Sequence, residues 1–261
     1  MEQNQYETVI YDEKHRVATI TLNRPSAYNA FTPQMNKEII ETLKRADRNE
    51  EIRSIVITGQ GNAFCAGEDL GSVDHETNHA TLLRERYHPM INMMKKVTKP
   101  IVAAVNGTAA GAGMSLALAA DFRLVHRETK FISAFMGIGL VPDSGFMYML
   151  PRLIGYAKAL EIAVLGIPIS GEEAKKIGLA TKVIEKDEWA EQVQSFSQSL
   201  AQMPTTAFSL IKRYMMDGMH TPFTDALEQE AQAQRIAGMS KDHQEGLRAF
   251  KEKREPVYTG N

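Results

Sequence analysis

Cysteine is almost absent. Cys65 is the only one in 261 residues, so no disulfide framework forms within one chain. Tryptophan also occurs once, as Trp189. Neither sign of charge dominates: 30 Lys and Arg stand against 32 Asp and Glu, for a net charge of −2. That balance removes the usual electrostatic reason to expect a nucleic-acid partner. The apolar runs are too short to span a bilayer, so no membrane partner is expected. Met1-Glu2-Gln3-Asn4-Gln5 has neither a signal-peptide apolar core nor an Arg-rich transit character, and a cytoplasmic location is expected. Phosphate-loop and G-x-G-x-x-G patterns are missing, which argues against an NTPase and a dinucleotide-binding turn.

What is present is ordinary in amount and specific in pattern. Hydrophobic residues make up 43% and charged residues 24%, enough for a sizeable core. Fourteen methionines suit a malleable pocket or a forgiving core equally well. The most informative stretch runs from Val105 to Asp121. A short apolar strand enters a run of small residues containing Gly107, Gly111 and Gly113, and then a helix. Glycines allow close backbone approach, and a helix start offers unpaired N–H groups. With no phosphate motif, a negative charge held at such a place is better read as an oxyanion formed during a reaction than as a phosphate.

Strands are expected over residues 6–11 and 17–22, with a turn over 13–16. Thr32 and Pro33 open an amphipathic helix that runs to about Asn49. A buried strand over 54–58 leads by a turn to Phe64-Cys65-Ala66-Gly67-Glu68-Asp69-Leu70, a second strand running into a glycine. The polar span 71–80 reads as a loop and 82–96 as a helix. Strands follow over 122–125 and 129–135, then a glycine-rich bend from Gly137 to Gly145. Ser170-Gly171-Glu172-Glu173 is a capping box, and Gly178 stops its helix. From Glu188 onward the pattern is helical. Alternating strands and helices followed by helices alone indicate an α/β core with a helical C-terminal region.

Two strand-to-glycine turns, at Gly67-Glu68 and at Gly111-Ala112, can aim two N–H groups at one oxygen, or can be unrelated bends. Asp143 is the only carboxylate in its apolar bend. It reads as a helix cap or as a buried general base. Cys65 has no evident base beside it and reads as packing. His75 and His79 lack a third metal ligand. Lys251, Lys253 and Arg254 form either a solvated helix end or a phosphate contact.

Together these motifs resemble the crotonase superfamily of enoyl-CoA hydratases and isomerases over nearly the whole chain. The resemblance rests on Asn23-Arg24-Pro25 with Asn29-Ala30, the Phe64–Leu70 run, Ala104 through Gly113 to Asp121, Gly139-Leu140-Val141-Pro142-Asp143, Gly178-Leu179-Ala180, and Glu245-Gly246 with Ala249-Phe250 and Glu252-Lys253-Arg254. It implies a ββα spiral core over about residues 1–200 and a helical region over 201–261 that makes trimers, often paired into hexamers. It implies an acyl-CoA substrate, with coenzyme A part of the substrate and no permanently bound cofactor. The oxyanion donors carry over to the main-chain N–H groups of Glu68 and Ala112. CoA contacts carry over to Arg24, Ala27, Ala66, Glu68, Asp69 and Leu70. Phe250 and Lys253 match residues that reach a neighbouring subunit's CoA.

The departures from the family pattern bear on the reaction. Its hydratases hold water with two glutamates, and Ser115 and Phe135 stand at those positions. Asp143 matches the single carboxylate of the isomerase branches, phenylacetate-pathway members among them. The resemblance therefore implies an enoyl-CoA isomerase, by double-bond shift or ring-epoxide isomerisation, with Asp143 as base. The alternatives are a hydratase, a thioester hydrolase, or a non-catalytic CoA- or RNA-binding relative. A dehalogenase would need a tryptophan near the oxyanion site, and Trp189 is far along the chain.

Overall fold

The computed structural model describes residues 6–72 and 76–261. β1 (Val9–Lys14) and β2 (Val17–Leu22) form an antiparallel hairpin, with Lys14 opposite Val17. Its turn is His15 and Arg16 alone, at φ 52° and 64°. Positive φ at both turn residues matches the twist of the flanking strands. The sequence reading started this strand early and made its turn too wide, because no Asn-Gly pair advertises so tight a turn.

α1 (Pro33–Arg48) is capped as expected: Thr32 Oγ1 accepts the Met35 N–H at 3.2 Å. β3 (Ser54–Gly59), β5 (Ile101–Val105), β7 (Phe122–His126) and β10 (Lys182–Ile184) extend the sheet in parallel. The six-stranded order is β1-β2-β3-β5-β7-β10. After β3, β5 and β7 the chain steps into a second sheet, as β4 (Ala63–Cys65), β6 (Thr108–Ala110) and β8 (Lys130–Ile132). β9 (Ile169–Ser170) closes this second sheet antiparallel to β8.

Helices follow each strand pair and complete the spiral turns. After β4 come α2 (His79–Leu82) and α3 (His88–Lys96); after β6 comes α4 (Ala112–Ala119). After β8 come α5 (Phe146–Ile154) and α6 (Tyr156–Leu165), and after β9 comes α7 (Gly171–Lys176). This is the ββα spiral that the motifs imply. β8 is shorter than expected because a tight turn over Met136–Ile138 takes up the chain, with Ile138 N–H on the Phe135 carbonyl. The expected helix over 82–96 contains a wide π-turn, Leu83–Tyr87. Pro89 has no N–H to continue the ladder, and the His88 N–H reaches back to the Leu83 carbonyl.

The main core lies between the two sheets and α1, α3 and α4, around Phe31, Phe64, Tyr87, Phe131 and Phe146. A smaller core covers the outer face of the large sheet: Val17, Val56, Val102 and Leu124 pack under α8 (Trp189–Ala201). Trp189 lies there, edge-to-face on His126. α9 (Thr205–Gly218), α10 (Phe223–Gly238) and α11 (Lys241–Glu252) follow, and α9 and α10 bury no residue fully. Arg53, just before β3, ties this region down. Its guanidinium donates to the carbonyls of Met203 at 2.6 Å and Tyr258 at 2.7 Å. Among the described residues, no helix is long and apolar enough to cross a membrane.

Candidate active site

β4 and β6 run parallel with Cys65 beside Ala109, so both strands deliver their glycines to the same place. Gly67 has φ +94° and Gly111 φ +51°, a region that favours glycine. A Cβ on Gly67 would stand 2.9 Å from the Ala110 carbonyl oxygen and 3.3 Å from the Ala112 nitrogen. A Cβ on Gly113 would stand 2.2 Å from the Cys65 carbonyl oxygen. The two turns are therefore in contact, and α4 sits directly on β4.

Among the described residues, the structure records no main-chain bond for the Glu68 N–H or the Ala112 N–H. The Gly67 carbonyl accepts from Phe31 N–H at 2.7 Å, and Asp69 N–H donates to the Phe31 carbonyl at 3.1 Å. In such a parallel pairing the intervening Glu68 N–H points away from Phe31. Ala112 opens α4, so its N–H has no carbonyl within its own helix.

The Glu68 side chain is held firmly. Arg86 donates to both its oxygens, Nη1 to Oε1 at 2.8 Å and Nη2 to Oε2 at 3.0 Å. The Tyr87 hydroxyl also donates to Oε2. Asn36 Oδ1 in turn accepts from Arg86 Nε and Nη2 at 3.2 and 3.1 Å. Tyr87 is buried edge-to-face on Phe31, and burial followed by the Glu68 charge pushes its hydroxyl far above the ordinary tyrosine value. The sequence reading missed Arg86 and Tyr87. Its one available signal was an acidic residue inside a glycine turn with no cation nearby in sequence.

Asp143 stands in a bend made by Ser144 at φ 54° and Gly145 at φ 82°. It does not cap α5: the cap position is Gly145, with no side-chain bond. Its main-chain carbonyl accepts from Phe146 N–H at 2.9 Å and from Ser115 Oγ at 3.0 Å. Its carboxylate Oδ1 is buried without a hydrogen-bond partner. Burial raises its pKa above the usual carboxylate range, and the Glu68 charge adds to the rise. The Ser144 hydroxyl, His79 and His88 act in the opposite sense. Ser115 is fully buried in the first turn of α4. Phe135 is also buried. Its ring tip lies 3.9 Å from the Cβ position of Gly111, and the ring packs edge-to-face on Phe146.

Hydrogen bonds tie the segment around Arg24 and Ala27 to the segment around Ala66 and Asp69. Arg24 Nη2 pairs with Asp69 at 2.8 Å, and Nη1 donates to the Ala30 carbonyl at 2.6 Å. Ala27 ends the short turn Pro25–Ala27, and Ala66 N–H donates to the Tyr28 carbonyl at 3.0 Å. Leu70 is exposed beside them in sequence. Phe250 and Lys253 lie apart, on α11 and at its end; Phe250 is 83% exposed. Arg254 is engaged with Glu245 and Glu252, so the basic run is not wholly free for phosphate. Burial pushes the Cys65 thiol up to about 12, which leaves no thiolate near neutral pH. His79 begins α2 behind its Asn78 cap, and His75 lies outside the described residues.

Known proteins resemble this chain in sequence and fold. The family model for enoyl-CoA hydratase/isomerase matches residues 12–261. The chain is 39% identical over 249 residues to the 1,2-epoxyphenylacetyl-CoA isomerase of Escherichia coli, covering 94% of this chain and 95% of that protein. It is 40% identical over 256 residues to a "Probable enoyl-CoA hydratase" of Rhodobacter capsulatus, covering 98% of this chain and 99% of that protein. Among solved structures, the enoyl-CoA hydratase of Bacillus anthracis superposes with a TM-score of 0.91 at 30% identity, covering 98% of this chain and 100% of the other.

Proposed function

The chain belongs to the enoyl-CoA hydratase/isomerase family and is an enzyme of it; from that premise we propose that it is an isomerase of acyl-CoA thioesters. The observation that carries this reading is the single buried, unpartnered carboxylate oxygen of Asp143. Beside it, Ser115 is committed to the Asp143 carbonyl and Phe135 covers the Gly111 turn. Neither offers an acid or base to hold a water molecule.

The thioester oxygen binds between the N–H groups of Glu68 and Ala112. Asp143 removes a proton from carbon, and the electron pair of that C–H bond moves into a dienolate whose charge rests on the oxygen. Each such donor is typically worth ~3–4 kcal/mol to the transition state. Asp143, now protonated, returns the proton to a different carbon. Substrate and product have the same mass, and one base serves both transfers. For a ring epoxide the same enolate stabilisation assists ring rearrangement. Phe135 and Phe146 keep the intermediate dry.

Arg24, Ala27, Ala66, Glu68, Asp69 and Leu70 take the CoA portion, and coenzyme A enters and leaves as part of the substrate. Residues 201–261 serve as the assembly region of a trimer or a pair of trimers. Met215, Phe223 and Phe250 there are 71%, 77% and 83% exposed, an apolar surface that a second copy would cover. In that assembly Phe250 and Lys253 complete a neighbour's CoA site.

The test is mass and absorbance of 3-hexenoyl-CoA and of crotonyl-CoA incubated with purified protein and with Asp143→Asn. Conversion of the 3-enoyl to the 2-enoyl thioester without a mass change, lost in the variant, is the expected result. Rapid gain of one water by crotonyl-CoA would make the enzyme a hydratase. Turnover of neither directs the next trial to a ring-epoxide thioester.

A further inference from the structure

We propose that Arg86 is a positioning residue that cancels the charge of Glu68 beside the forming enolate; this rests on the oxyanion reading of the Glu68 N–H given above. A carboxylate on the residue that supplies an oxyanion donor works against its own main chain. Its negative charge opposes the negative charge the N–H is there to stabilise. Both side chains are mostly buried, Arg86 at 16% and Glu68 at 15% exposure. Solvent therefore screens the repulsion weakly.

The structure meets this cost locally. The guanidinium engages both Glu68 oxygens, the strongest geometry for such a pair. Arg86 is itself fixed by Asn36, whose Nδ2 lies 3.5 Å from Met90 Sδ in the core. Arg86 and Tyr87, neighbours in the π-turn, both reach the one carboxylate with their long side chains. Both Glu68 oxygens are taken up by hydrogen bonds from Arg86 and Tyr87, so the side chain is held in that contact rather than offered to a substrate carbon. It acts as a fixed charge that Arg86 neutralises, and the proton traffic is left to Asp143.

Among the described residues, the groups that bear on the Glu68 carboxylate are Arg86, Tyr87, the buried Cys65 and Asp143. Those that bear on Asp143 are Glu68, Ser144, His79 and His88. Removing Arg86 uncovers a charge that both the enolate and Asp143 feel. Removing Glu68 at the same time takes that charge away.

The experiment compares wild type, Arg86→Met, Arg86→Lys, Glu68→Gln and the double variant Glu68→Gln/Arg86→Met. Acetoacetyl-CoA is the probe: its enolate absorbs in the near ultraviolet, and the enolised fraction in the complex reports the field at the thioester oxygen without using Asp143. The pH profile of turnover is the second readout. Arg86→Met is expected to lower the enolised fraction and kcat on the order of tenfold. It should also move the acid limb to higher pH. Glu68→Gln should move that limb lower, and the double variant should return both readouts toward wild type. Arg86→Lys keeps the charge and should keep most of the enolate band. A double variant as impaired as Arg86→Met overturns the proposal, because Arg86 would then be needed for packing alone. A wild-type complex without an enolate band overturns it too. If Arg86→Met does not fold, the lysine and double variants carry the comparison. Should Asp143→Asn prove fully active, the isomerase reading fails while the acetoacetyl-CoA pattern still decides this one.

Discussion

Ser115 Oγ donates a 3.0 Å hydrogen bond to the main-chain carbonyl of Asp143. The bond joins the first turn of α4, which presents Ala112 N–H, to the bend that carries the carboxylate. The proposed donor and the proposed base are thus held by one fully buried side chain. Ser115→Ala should leave the CoA affinity nearly unchanged and lower kcat, on the order of tenfold, since misplacement rather than lost chemistry is the consequence. Its stability cost should be about 1 kcal/mol, the usual worth of one buried hydrogen bond. Steady-state kinetics with a urea melt checks both. A rise in KM with kcat intact would be the wrong outcome.

Asp143→Asn should reduce kcat by roughly 10²–10⁴-fold, the usual contribution of a positioned acid–base group. Turnover in the wild type should need Asp143 ionised, so it should fall as pH drops through a value above the ordinary carboxylate range. A limb at or below that range would contradict the burial of this group.

The same shift makes a stability prediction of definite sign. The folded-state pKa of Asp143 is raised above the unfolded value. Its contribution to stability is therefore fully present below the unfolded pKa and is lost as pH rises through the folded one. Asp143→Asn should raise Tm at neutral pH, and the gain should vanish below about pH 4, where the unfolded carboxyl is protonated too. Thermal melts of both proteins across pH 3–8 measure the crossing.

Gly113→Ala should destabilise the protein by roughly 1–3 kcal/mol, the usual cost of overpacking. The added methyl would stand 2.2 Å from the Cys65 carbonyl, a main-chain atom that cannot swing aside. α4 would have to lift from β4, so activity should fall with Tm. Equal Tm for variant and wild type would show that the helix can shift freely.

Light scattering on the purified protein should give a mass of three or six chains of 29.1 kDa. Phe250→Ala should raise KM for the acyl-CoA several-fold with kcat little changed, if its ring reaches a neighbour's CoA. A monomeric protein of full activity would remove the role of Phe250 and Lys253.

The local devices were open to a linear reading. Thr32 before Pro33 and Ser170 before Glu173 announce their helices, and each hydroxyl accepts the N–H three residues on. Caps depend on residues three apart, so the sequence carries them whole. The glycines at 67, 111 and 113 were also legible, because positive φ and close approach leave few other residues possible. His15-Arg16 escaped, because an unremarkable pair adopts the tight turn only when β1 and β2 pull it shut. Asp143 reads as cap or base in the sequence, and the structure removes the cap, because Gly145 takes that position with no side-chain bond.

The sequence by itself determined the strand–glycine–helix repeats, their spacing and the single carboxylate at Asp143, since each is a local choice of residue type. Only the tertiary structure decided that Gly67 touches Ala112, that Ser115 holds Asp143, and that Arg86 answers Glu68 across 18 positions. Those relationships come from how the spiral brings separate turns together. Burial then fixes them, because a polar group removed from water must find its partner wherever in the chain that partner lies.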